Sequence, residues 1–170
     1  MLDNFHARPL LNMSIVVEKA QLKDVAGIID LMRDLAEYEN LADYCEITEE
    51  KLNAAMFDDG AFVEGLVANN NGRFIGYALF YPYFASFRGQ RGFYLEDIYV
   101  DGEYRGKGVG EMILKEIAKT AKSRGFERID FQVLDWNEPA IKFYKKLGAE
   151  SNSEESHFKF TGQSFEKLAV

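Results

Sequence analysis

Apolar positions recur along this chain with two different periods, and the changes from one period to the other mark its elements. Ile15 to Ala20 reads as a first strand. Beyond Asp24, at a capping position, Val25, Ile28, Ile29, Met32, Leu35 and Ala36 recur at helical spacing and predict a helix with one buried stripe. Thr48 opens a second, short helix through Leu52, Ala55 and Met56, with Lys51 where a capping box would carry Glu or Gln. Two strand-like stretches, Phe62 to Ala68 and Arg73 to Tyr83, flank Asn69-Asn70-Asn71-Gly72. A polar turn ending in Asn-Gly predicts a hairpin and hence antiparallel pairing. A loop from Phe84 to Gly92 leads to a fourth strand, Phe93 to Val100. Val109, Met112, Ile113, Ile117 and Ala121 predict a third helix, and Arg128 to Leu134 a fifth strand. Asn137 caps a fourth helix with Pro139 in its first turn and Gly148 past its end. His157 to Thr161 reads as a late strand. Hairpin strands followed by strand, helix, strand, helix make an α/β domain with a mixed, mostly antiparallel sheet flanked by helices. It spans residues 14–170, behind a flexible N-terminal tail at 1–13.

Charge changes this picture more than overall composition does. The net charge of −8 argues against nucleic acid as a partner. Residues 24–64 hold twelve acidic side chains against only Arg33 and Lys51, so the remainder is close to neutral. That region is either a cation attractor or a solvated helical face. No window approaches the ~20 apolar residues of a membrane span, and residues 1–14 lack the apolar core of a secretory signal. Cys45 is the only cysteine, which leaves no disulfide framework and no thiolate metal site. His6 and His157 are too isolated to suggest a metal. A cytoplasmic address and no membrane partner follow as expectations.

One motif carries chemistry. Arg105-Gly106-Lys107-Gly108-Val109-Gly110 lies between a strong strand and a strong helix. Its glycines let the backbone turn tightly and approach a ligand without Cβ clashes. The N–H groups of the first helical turn and the helix dipole favour an anion there, and a pyrophosphate suits the site. A P-loop would need Gly-x4-Gly-Lys-Ser/Thr, which is absent. A dinucleotide fingerprint would need glycine where Glu111 stands.

These residues resemble the acyl-CoA motif of the GNAT (GCN5-related N-acetyltransferase) superfamily. Tyr94-Leu95-Glu96-Asp97-Ile98-Tyr99-Val100, Glu103-Tyr104-Arg105-Gly106, the run from Val133 to Ala140, and Phe143-Tyr144-Lys145-Lys146-Leu147-Gly148-Ala149 resemble its diamine acetyltransferase branch. That branch includes spermidine/spermine and thialysine N-acetyltransferases. Leu35-Ala36-Glu37-Tyr38-Glu39 is similar to it as well. The resemblance implies a GNAT fold with a sheet splayed between its fourth and fifth strands. It also implies acetyl-CoA as co-substrate with no metal, direct attack by a primary amine in a ternary complex, and a homodimer. Carried over, backbone groups of Ile98, Tyr99 and Val100 would hold the pantetheine arm. Arg105, Gly106, Lys107, Gly108, Val109, Gly110 and Glu111 would hold the pyrophosphate, and Asn137 would touch the cofactor. Read from residues alone, Asn137 is simply a helix cap.

An alkyl ammonium, with pKa near ~10.4, must lose a proton before it attacks a thioester. Strict alternation places Tyr94, Glu96, Ile98 and Val100 on one face of the fourth strand and Phe93, Leu95, Asp97 and Tyr99 on the other. Each carboxylate is then expected among apolar neighbours, where burial raises its pKa. By the resemblance Glu96 orients the amine and takes its proton, Asp97 has a structural or orienting part, and Tyr144 gives a proton to the departing thiolate and reaches the CoA sulfur. On residues alone Tyr144 is a core tyrosine in the stripe Ala140, Ile141, Tyr144, Leu147. Tyr38, Glu39, Glu96 and Glu155 match substrate-contacting positions. Ile98-Tyr99, Leu134-Asp135 and Phe158 to Gly162 resemble the thialysine enzymes more than the spermidine ones. Arg88 and Arg91, placed beside an entry route, would disfavour a polycation. The alternatives that stay open are a polyamine acetyltransferase, an enzyme of this fold acting on protein amines, and a non-catalytic acyl-CoA-binding sensor.

Overall fold

Asn71 and Gly72, at φ 52° and 90°, close the tight turn that Asn-Gly predicts, and the Gly72 N–H donates to Asn69 Oδ1 at 2.7 Å. The computed structural model describes residues 14–151 and 158–169, in two compact units divided after Gln132. The N-terminal unit contains, in order, β1 (Ile15–Lys19), α1 (Val25–Tyr38), α2 (Glu49–Met56), β2 (Glu64–Asn70), β3 (Arg73–Ala85), β4 (Gln90–Val100), α3 (Val109–Ser123) and β5 (Arg128–Phe131). The strands form one sheet in sequence order, antiparallel from β1 to β4 and parallel between β4 and β5. The mixed, mostly antiparallel sheet is the predicted one. Proposed tail residues 1–13 lie outside the described residues.

Two apolar clusters cover the two sheet faces. Val109, Ile113, Ile117 and Ala121 of α3 pack on Ile75, Ala78, Phe80, Phe93 and Leu95. Val25, Ile28 and Ile29 of α1, with Leu52 of α2, pack on Val67, Tyr77 and Leu79. Both stripes follow the sequence periodicity in the main, but Met112 of α3 is exposed and Leu31 of α1, outside the predicted stripe, is buried. Burying a side chain such as Phe93 is worth ~1.5–3 kcal/mol, so this packing fixes the sheet against both helices.

Several expectations need correction. Asp24 is buried, but its carboxylate accepts from the Gln21 N–H at 2.8 Å and makes no cap bond to α1. A 3-10 turn at Leu22–Asp24 feeds the helix instead. Thr48 does cap α2, accepting from the Lys51 N–H. The expected loop from Phe84 to Gly92 shrinks to a 3-10 turn at Ser86–Arg88 and Gly89, because β3 and β4 pair out to Ala85↔Gln90. The fifth strand stops at Phe131, three residues short of expectation, where its pairing with β4 ends at Leu95↔Phe131. From Glu96 onward β4 has no strand partner on that side among the described residues, which is the expected splay.

The C-terminal unit holds α4 (Glu138–Lys146) and α5 (Gln163–Leu168). Asn137 caps α4, accepting from the Ala140 N–H, with Pro139 in the first turn as predicted. The late strand is not found. Phe158 to Thr161 carry no strand, and His157 lies outside the described residues. The short helix α5 was not foreseen; ahead of it the Ser164 hydroxyl accepts from the Thr161 N–H and donates to its carbonyl.

Candidate active site

The decisive local feature is a β-bulge in β4. Leu79 of β3 pairs with Asp97, and the next residue, Phe80, pairs with Leu95, so Glu96 is the extra residue. Strict alternation fails at that point. Phe93 and Leu95, before the bulge, and Ile98 and Val100, after it, all pack on the α3 face, while Tyr99 packs on the α1 face. Glu96 and Asp97 therefore both turn toward the α1 face, not to opposite faces as alternation predicts.

Their partners make this concrete. The Tyr81 hydroxyl donates to Glu96 Oε2 at 3.2 Å, and the Tyr77 hydroxyl donates to Asp97 Oδ2 at 3.4 Å. Tyr77 and Tyr81 lie four residues apart on one face of β3, so one strand receives both carboxylates. Burial and the Glu96 charge raise the Tyr81 hydroxyl to about 12, and burial with Asp97 raises Tyr77 well above its usual value. Both phenols thus stay neutral donors.

The two carboxylates differ in exposure. Glu96 is exposed, against the expectation of burial, whereas Asp97 is half-buried. Burial first, then the neighbouring Glu96 charge, pushes Asp97 from 3.8 to about 6; Glu39 adds to this and the Tyr77 hydroxyl works against it. Glu39, half-buried just past the end of α1, is itself raised by burial. Three acidic groups from two elements thus gather where Tyr77 lies.

Past the end of β4 comes the glycine turn. Gly106 and Gly108 have φ of 72° and 83°, and an added Cβ at either would meet nothing within 4 Å. Glycine is therefore favoured at both for its left-handed φ and not for lack of space. Gly108 is the N-cap residue of α3 and offers no side chain to cap it. The N–H groups of Gly106, Lys107, Gly108, Val109 and Gly110 meet no acceptor among the described residues. Such a row of open donors at the N-terminus of a 15-residue helix suits an anion.

The model of the acetyltransferase (GNAT) family matches residues 28–149, which takes in most of α1 and all of the bulged strand, the glycine turn and α4. The chain belongs to the GNAT family. It is an N-acetyltransferase, and the GNAT family uses acetyl-CoA as co-substrate. It is 38% identical over 167 residues to a thialysine N-epsilon-acetyltransferase of Sus scrofa, covering 92% of this chain and 98% of that protein. It is 31% identical to a human spermidine/spermine N(1)-acetyltransferase-like protein over 140 residues, 78% of this chain and 20% of that one. A solved integron cassette protein from the mobile metagenome of V. cholerae has the same GNAT fold at TM-score 0.77 and 25% identity, covering 92% of this chain and 98% of that one. No helix among the described residues is long and apolar enough to cross a membrane.

Within the GNAT core the predicted residues distribute unevenly. Glu39 and Glu96 gather around Asp97, a residue to which sequence reasoning gave only a structural or orienting part. The signal for Asp97 was its adjacency to Glu96, but the bulge that aims both at one face leaves no mark in the sequence. Ile98, Tyr99 and Val100 lie on the part of β4 beyond its pairing with β5. Arg105 is exposed but tethered: its Nε–H donates to the Val100 carbonyl at 2.9 Å and its own N–H donates to the Gly102 carbonyl. Lys107 has its ammonium 5.1 Å from the Tyr104 ring. Glu111 pairs with Lys115. Asn137 and Tyr144 belong to the C-terminal unit, Asn137 buried at the cap and Tyr144 half-buried with its ring 5.1 Å from Phe143. Glu155 lies outside the described residues. Arg91 lies over Phe126, 4.6 Å from its centroid, at a ring of the cluster under α3. Arg88 is exposed in the β3–β4 turn.

Proposed function

We propose that this N-acetyltransferase uses acetyl-CoA to acetylate the terminal primary amine of a small cationic substrate of thialysine or lysine type. The observation that carries the reading is the bulge, which turns Glu96 and Asp97 to one face at the start of the stretch of β4 that β5 does not pair. Support for the substrate class comes from the 38% identity to the pig thialysine enzyme over nearly the whole of both chains. The acidic surroundings of Asp97 fit a cationic acceptor.

The open N–H groups of Gly106 to Gly110 would hold the phosphates, and the edge of β4 at Ile98 to Val100 would hold the pantetheine arm. When bound, acetyl-CoA supplies the activated acyl group. Glu96 and Asp97 attract the ammonium of the acceptor and take its proton, either directly or through water. Tyr77 and Tyr81, kept neutral, fix these carboxylates by hydrogen bonds. Tyr144 holds a proton for the leaving thiolate.

Acetyl transfer measured by CoA release across thialysine, lysine, ornithine, diamines, spermidine and spermine tests the substrate class. The highest kcat/KM is expected for an ω-amino acid of lysine type. A panel led by spermidine or spermine would replace this reading with polyamine acetylation, and a panel in which none of the amines releases CoA would leave only acyl-CoA binding.

The Asp97 carboxylate sets the acid limb of the reaction. The reactive pair is a protonated amine and an ionised base, so kcat/KM should fall about tenfold per pH unit below about pH 6. Asp97→Asn removes that limb and lowers the rate. Glu96→Gln removes a negative charge that raises Asp97, and so moves the limb to lower pH. Stability should change in the opposite sense. A carboxylate raised from 3.8 to about 6 on folding costs the folded state once it is ionised, on the order of 2–3 kcal/mol above pH 6. The cost fades as pH falls from about 6 to 3.8. Asp97→Asn should therefore melt higher than wild type at pH 8 and show little gain at pH 4.

A further inference from the structure

The guanidinium of Arg105 lies 4.3 Å from the centroid of the Tyr38 ring and 5.3 Å from that of Tyr99, with its Nε–H on the Val100 carbonyl. One side chain thus joins the last residue of α1, the last two residues of β4 and the start of the glycine turn. What it secures is not stable by itself. Glu39 follows Tyr38 at the C-terminal end of α1, where the helix dipole disfavours a negative charge. It also adds its charge to the neighbourhood of Asp97 and Tyr77 rather than pairing with a cation there. Repulsion would let the end of α1 drift away from β4 unless something held Tyr38 in place. A planar cation between two rings does this with a direction that a point charge lacks.

We infer that Arg105 is a positioning residue for the acceptor amine, a staple that fixes Tyr38 and thereby holds Glu39 beside Asp97, rather than chiefly a ligand of cofactor phosphate. This rests on the function proposed above, and it assigns the side chain of the glycine turn to the substrate half of the site.

The test uses the full chain with Arg105→Lys, Tyr38→Leu and Tyr38→Phe. Arg105→Lys keeps the charge available to a phosphate and loses the stacked plane. Its acetyl-CoA Kd, by calorimetry, should stay within about twofold of wild type. Its KM for the acceptor amine should rise by roughly two- to fivefold, the scale of a lost cation–π contact at an exposed site, with kcat nearly unchanged. Tyr38→Leu should match it, and Arg105→Lys with Tyr38→Leu should be no worse than either alone. Amide exchange in residues 35–41, measured without any ligand, should speed up in Arg105→Lys and Tyr38→Leu but not in Tyr38→Phe.

Unchanged exchange in Arg105→Lys would overturn the staple whatever the activity. Faster exchange combined with a tenfold weaker acetyl-CoA Kd and an unchanged amine KM would overturn the positioning role and give the guanidinium to the phosphates. A wild-type chain that acetylates no amine would refute the proposed function, while the exchange arm would still decide the staple.

Discussion

Tyr144→Phe should lower kcat by about 10²–10⁴-fold, the usual worth of general-acid assistance, or ~3–5 kcal/mol of barrier. A phenol is protonated at neutral pH and can donate to a thiolate, whereas phenylalanine cannot. Tyr144 lies in the second turn of α4, which starts from the Asn137 cap and carries Pro139 where its missing N–H costs nothing. The substitution removes one oxygen from a half-buried ring beside Phe143 and leaves the helix bonds of its backbone in place, including its carbonyl on the Ala149 N–H. Acetyl-CoA affinity and melting temperature should therefore remain near wild type. A structural tyrosine would give the reverse pattern, with stability lowered and kcat per folded molecule preserved. Steady-state kinetics beside a melting curve separate the two. A folded variant that keeps more than about half its kcat would leave solvent or the substrate ammonium as the proton source.

Gly108→Asp should reduce acetyl-CoA affinity by at least about 10²-fold. The reason is occupation of the anion site by the protein's own carboxylate. The N-cap position of α3 faces open space at φ 83°, and the N–H groups around it are without acceptors among the described residues. An aspartate there would take two of those donors and place a negative charge where phosphate charge belongs. Losing two charge-assisted hydrogen bonds at ~1.5–3 kcal/mol each is enough for the stated loss. The left-handed backbone adds some strain, which Gly108→Ala measures without the charge. Calorimetry should find Gly108→Ala far closer to wild type than Gly108→Asp. Equal affinity in folded Gly108→Asp would move the cofactor phosphates away from this turn.

The sequence made the helices and the hairpin legible because each has a local cause. Thr48 and Asn137 cap as their chemistry predicts, and Asn71-Gly72 turns as its backbone freedom allows. Asp24 misled because a carboxylate near a helix start has two N–H groups within reach, and it bonds Gln21 ahead of the 3-10 turn. Strand ends were the weakest readings. The Phe84 to Gly92 segment looks like a loop from its glycines, yet the ladder between β3 and β4 overrides that preference. The site was half legible. The glycine turn and the Glu96-Asp97 pair stand out in the sequence, but the face each carboxylate uses depends on a ladder register that only pairing defines. Arg91 illustrates the same limit, since an arginine's charge is visible in the sequence and the ring it covers is not.

The bulge also ties the lifetime of the site to that of the core. Leu95 on one side of it and Ile98 on the other both pack against the cluster under α3. Glu96 and Asp97 thus cannot swing apart by local loosening, because any slip of the strand would drag one of those neighbours out of its packing. Loop-borne sites commonly come apart well below the global transition, but this pair of carboxylates sits on a sheet strand held by core neighbours on both sides. The carboxylate pair should then stay together through heating or denaturant until the sheet itself gives way, and activity lost ahead of that point would report the C-terminal unit that carries Tyr144.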